Sequence, residues 1–229
     1  MNNIFEPLTL ASGSHEAGSG QGCAMNVISW ENGDKVITDY PACSDKYLAT
    51  VVQHANDTLA GPDGILSPAN SIIALDLGHA TVGTTNHSLS QLELKVVYIR
   101  CTAFAARKTL HLDTTGMELA TILAAEKWAD DPTEENRILA AYAAQEGSFY
   151  PNAAYAASEK TNTHRAVESV HYRSASLLTN GLDRNESNQI RVSLAWELIN
   201  LFKTLTGTTS PAIDETVVAY AVAKMRVTA

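Results

Sequence analysis

Four residues in the first fifth of the chain, His15, Cys23, Asp39 and Cys43, are of the types from which metal sites and nucleophilic centres are built. They lie in S-H-E-A-G-S-G-Q-G-C-A-M-N and T-D-Y-P-A-C-S-D. His15, Cys23 and Cys43, with Asp39 or Glu16 as a fourth ligand, make the mixed nitrogen, sulfur and oxygen set that zinc accepts in tetrahedral geometry. The same side chains also supply a nucleophilic centre, with Cys23 as nucleophile, His15 as base and Asp39 as orienter. Cys23 opens a short helix, where the partial positive charge of the helix end favours a thiolate. In a third reading the cysteines are small buried hydrophobes, and His15 and Asp39 bond to loop backbone. The spacing lacks C-x-x-C knuckles and the H-x-E with P-C-x-x-C signature of zinc deaminases. All three readings stay open on local sequence alone.

The elements that must position these residues are mostly helical. Residues 12–22 hold too many glycines for a regular element and read as a loop. A helix follows from Cys23 to Gly33, then an extended segment from Lys35 to Cys43 that turns at Asp39-Tyr40-Pro41. Tyr47, Leu48, Val51, Val52, Ala55 and Leu59 share one stripe of a helix capped by Ser44 and ended by Gly61. Ser67-Pro68 starts another that runs to Gly78 or Gly83. Leu89 to Leu110 reads as helix, although Val96 to Ile99 also fits a buried strand. Further helices are expected over Thr115 to Ala129, Asp131 to Gln145, Ser158 to Thr179, Ser187 to Leu205 and Asp214 to Arg226, with Asp131-x-x-Glu134 as a capping start. The segment A-A-Y-A-A at 140–144 recurs at 153–157, and reads as close helix packing in which each Tyr fills a gap. The expected fold is mostly α: one domain, with an irregular Gly-rich N-terminal module over 1–84 packed on a multi-helix bundle over 85–229.

Composition narrows the classes. A chain of 229 residues with 45% hydrophobic and 18% charged residues is an ordinary folded protein. Its 25 acidic against 16 basic residues give a formal charge of −9, which repels phosphate backbones and argues against nucleic acid. No segment approaches the ~20 uncharged apolar residues of a membrane span, and the start M-N-N-I-F-E-P-L-T-L has no leader pattern. Three cysteines at wide spacing fit reduced thiols, so a cytoplasmic protein is expected.

Other clusters are weaker. His164, Glu168 and His171 share a helical face, but Glu168-x-x-His171 is only half of a di-iron pattern and no second copy exists, so the group reads as a solvated stripe. Arg100, Arg107 and Lys108 are too few for an anion site, and Trp30, Trp128 and Trp196 read as core. None of the Gly-rich phosphate loops, H-E-x-x-H or G-x-S-x-G is present.

The N-terminal residues resemble an uncharacterised family of small proteins from actinobacteria and their phages. The shared pattern is G-S-H, then G-x-C-x-M, a short helix, D-x-P-x-C and N-D. It falls here on Gly13, Ser14 and His15; Gly22, Cys23 and Met25; Gly33 and Asp34; Asp39, Pro41 and Cys43; and Asn56 and Asp57. It spans about residues 8–84, and departs at Asn26, where the family pattern has Glu. The resemblance implies a phage-related setting and no activity. The function expected is that of a non-enzymatic interaction or accessory protein binding another protein or a second copy of itself, with no cofactor. The alternative is a metal- or thiol-dependent enzyme centred on His15, Cys23, Asp39 and Cys43.

Overall fold

The computed structural model describes residues 9–15, 19–146, 152–161 and 163–226. Among these the chain is all-α, with ten α-helices and no strand; two isolated bridges join Ala11 to Ile65 and Ser44 to Val82. Among the described residues no helix is long and apolar enough to cross a membrane. The fold forms two compact units, one running to Asn86 and resumed from Thr208, the other from His87 to Gly207. The expected body over 85–229 therefore differs in its last residues, which belong with the N-terminal unit.

The first unit holds α1 (Ala24–Asn32), α2 (Lys46–Leu59), α3 (Pro68–Thr81) and α10 (Glu215–Arg226), with α1 packed on the other three. Its core includes Leu10, Met25, Ile28, Tyr47, Leu48 and Leu77, all buried. α1 and α3 approach closely because residue 78 is glycine, since a Cβ there would lie 3.0 Å from Ile28 Cγ1. Ser67 caps α3 with Pro68 in its first turn, as the sequence predicts. The cap of α2 is corrected from Ser44 to Asp45, whose carboxylate accepts from the Tyr47 and Leu48 N–H groups. The Ser44 hydroxyl is instead engaged by Thr81 Oγ1 at 2.8 Å. Lys35 to Cys43 contains no strand, because no neighbouring strand pairs with it and side chains pin it instead. Ser29 Oγ accepts from Thr38 N at 3.2 Å, and Gln53 Nε2 donates to Asp39 O at 2.7 Å.

The second unit holds α4 (Gln91–Arg107), a 3-10 turn (Leu110–Leu112), α5 (Met117–Asp130), α6 (Glu134–Glu146), α7 (Ala153–Ser158), α8 (Thr163–Leu178) and α9 (Arg184–Thr206). α4 is central, packing on α5, α7, α8 and α9, and Val96 to Ile99 are helical within it. Ile99, Ile122, Leu198, Ile199 and Phe202 are fully buried. The helix expected from Ser158 begins only at Thr163, because α7 ends at Ser158 and Lys95 Nζ donates to the carbonyls of Ala157 and Glu159 at 3.1 and 2.6 Å. At α6 the expected Asp131 cap shifts to Thr133, whose hydroxyl accepts from Asn136 N at 3.3 Å. The tyrosines of the repeated A-A-Y-A-A segment do not fill gaps: Tyr142 and Tyr155 point outward, while all four α7 alanines are buried.

Candidate functional site

The Gly-rich loop is lashed to the first two helices by side chains. Asn56 Nδ2 donates to Ala11 O at 2.9 Å, Asn56 Oδ1 accepts from Ala24 N at 3.2 Å, and Asp57 Oδ1 accepts from Gly13 N at 2.8 Å. Asp39 is the second fastening point. Its carboxylate accepts from Ser14 Oγ at 2.5 Å, Asn26 Nδ2 at 2.9 Å and Cys23 Sγ at 3.6 Å. Asn26 Oδ1 also accepts from the Cys23 N–H at 3.0 Å, so Asn26 bridges α1's first turn to Asp39. A carboxylate at 26 would face the carboxylate of Asp39 instead.

This geometry bears on both chemical readings of the N-terminal cluster. Cys23 is 1% exposed, and burial pushes its thiol up to about 12, with the Asp39 charge adding to the rise and the Asn26 and Met25 N–H groups opposing it. The helix end does not win against desolvation, and the thiol stays a donor to Asp39. Among the described residues His15 Nε2 is buried with no hydrogen-bond partner, so no bond through it links the imidazole to Cys23. Among the described residues no three His, Cys, Asp or Glu side chains gather where they could hold a metal ion, so His15, Cys23 and Cys43 do not form the expected zinc site. Glu16 lies outside the described residues.

Cys43 belongs to a different place, a cavity of about 180 Å³ in the first unit. Its apolar walls are Ile28, Val82, Ile213 and Val217, and its polar lining includes Glu31, His79 and Asp214. Glu31 comes from the last turn of α1 and His79 from the last turn of α3. They meet at 2.8 Å, Nε2 to Oε2, with His79 9% exposed. Glu31 Oε1 and His79 Nδ1 are buried without a hydrogen-bond partner. Burial pushes the Cys43 thiol up, and the charges of Asp34 and Glu31 add to this against a hydrogen bond with Ser44. No local signal marks this pair: 48 residues separate Glu31 from His79, and only the packing of α1 on α3 joins them.

The remaining clusters are paired or buried. Arg100, Arg107 and Lys108 are each paired, with Asp130, Glu126 and Glu197 at 2.9, 2.6 and 2.6 Å. His164 pairs with Glu168 at 3.3 Å, while His171 is buried, which corrects the solvated stripe. Trp128 is core, and Trp30 and Trp196 are half-buried.

One helix inverts the usual order. α6 buries only Asn136 and Ala140, while Ile138, Leu139 and Tyr142 are 43%, 43% and 65% exposed. A helix that serves its own core turns its large apolar residues inward. On α5, Leu119 and Leu123, one turn apart, are exposed as well. Residues 130–146 carry five carboxylates and a single arginine.

No family model, curated protein or solved structure matches the chain.

Proposed function

We propose that the chain is a non-enzymatic interaction or accessory protein, phage-associated as the N-terminal resemblance implies, which binds another protein through α6. The carrying observation is the inversion of that helix, with its three large apolar side chains outward and a small and a polar residue inward. Such a face costs solubility unless a partner covers it. The exposed carboxylates of Asp131, Glu135 and Glu146 flank it, so the partner surface has an apolar centre and a basic rim. The constraint on Cys23 supports the same reading, because the N-terminal residues with catalytic potential are spent on holding a loop.

The test compares the full chain with a variant carrying Ile138→Ser, Leu139→Ser and Tyr142→Ser. Unchanged melting with loss of one reconstituted protein partner is the expected result. A sharp drop in melting temperature would show that these side chains hold the fold, and retention of every partner would place the interface elsewhere; either ends the proposal. Light scattering on the same pair separates a second copy of the chain from a foreign partner.

A further inference from the structure

We propose that the cavity between α1, α3 and the start of α10 binds a small primary alkylammonium ion. The polar end of the cavity holds a carboxylate oxygen with no donor. Glu31 Oε2 is bonded to His79 Nε2 at 2.8 Å, while Glu31 Oε1 is buried without a hydrogen-bond partner. A buried acceptor without a donor is costly, and a ligand bearing N–H groups relieves that cost.

Charge selects a cation. Among the described residues the ionisable lining is Glu31, Asp214, His79 and Cys43, with no lysine or arginine. The rest of the wall, Ile28, Val82, Ile213 and Val217 with Pro211, suits a short hydrocarbon. Size sets the length: the volume of about 180 Å³ is slightly larger than the ~150 Å³ of an engineered cavity that holds benzene, so the ligand has a handful of heavy atoms. This site lies in the first unit and α6 in the second, so the inference stands apart from the protein-binding function.

Cys43 is a built-in reporter. It lines the cavity and is half-buried, whereas Cys23 and Cys101 are buried, so a disulfide reagent that ignores amines reads Cys43 in the native protein. Cys43→Ser confirms that assignment by abolishing the fast phase. The probes are n-butylammonium, n-butanol and butyrate at equal millimolar concentration, neutral pH and matched ionic strength. Slowing of the Cys43 reaction by n-butylammonium, and by neither of the others, is the expected result. Equal slowing by butanol, slowing by butyrate, or no slowing by the amine overturns the proposal. Glu31→Gln removes the charge, and at unchanged melting it weakens protection by at least about tenfold, the equivalent of one charge-assisted hydrogen bond. Full protection in that variant also overturns it. If Glu31→Gln does not fold, the three-ligand comparison on the native chain decides alone.

Discussion

Replacing Asp39 with alanine removes one acceptor from three donors that reach it from the loop and from α1. Two of those donors, Asn26 Nδ2 and Cys23 Sγ, belong to residues 2% and 1% exposed, so neither finds water when the carboxylate is gone. A hydrogen bond to a charged group contributes about 1.5–3 kcal/mol, and a thiol donor lies well below that range. Ser14 is exposed and rebonds to solvent, so its share is small. The sum for Asp39→Ala is a loss of about 3–4 kcal/mol, most of it from the stranded Asn26 amide. Asp39→Asn keeps one acceptor oxygen and loses about 1–2 kcal/mol. Urea unfolding followed by circular dichroism measures both values. The same variants separate a brace from a catalytic orienter: because the Asp39 charge adds to the rise of the Cys23 thiol, its removal eases ionisation of Cys23. An orienter of a nucleophilic centre would have the opposite effect. A loss below about 1 kcal/mol in Asp39→Ala, or slower Cys23 alkylation in Asp39→Asn, refutes the brace.

Glu118 and Gly83 offer two further checks. The Thr109 hydroxyl faces both Ala106 O and Glu118 Oε1. Burial raises the Glu118 carboxyl above its ordinary range, helped by the Asp113 charge, while the Thr109 bond opposes the rise. A carboxyl raised in the folded state contributes stability below its unfolded pKa and loses it as pH climbs through the folded one. Glu118→Gln should therefore flatten the fall in melting temperature above the ordinary glutamate range, and an unchanged pH profile would count against the raised carboxyl. Gly83 has a φ of +83°, and a Cβ there would lie 2.8 Å from the Thr209 carbonyl oxygen, so Gly83→Ala should cost about 1–3 kcal/mol in denaturant unfolding. A neutral result would mean that this turn does not hold its left-handed backbone.

Most helices were legible from periodicity and caps. The stripe of α2, the Ser67-Pro68 start of α3 and the helical Val96 to Ile99 follow from local pattern. Where boundaries moved, a distant side chain had taken the local signal: Thr81 engages Ser44, so Asp45 caps α2, and Lys95 closes the end of α7 from 62 residues away. The outward tyrosines of A-A-Y-A-A were illegible for a related reason, since alanine already fills the space between close helices. At the N-terminal cluster the residues were found but their chemistry was not. Local position favoured a thiolate at Cys23, and the burial that reverses this is a tertiary property. Glu31 and His79 left no trace in the sequence, because their pairing depends on how α1 lies against α3.

The discontinuity of the first unit sets an order of assembly. Its fourth helix, α10, is translated only after the whole intervening unit, so α1 emerges from the ribosome well before the segment that packs against it. The second unit is contiguous and can complete its own contacts in the meantime. A nascent chain stalled before residue 208 thus leaves the outer surface of α1 wet until α10 has been made.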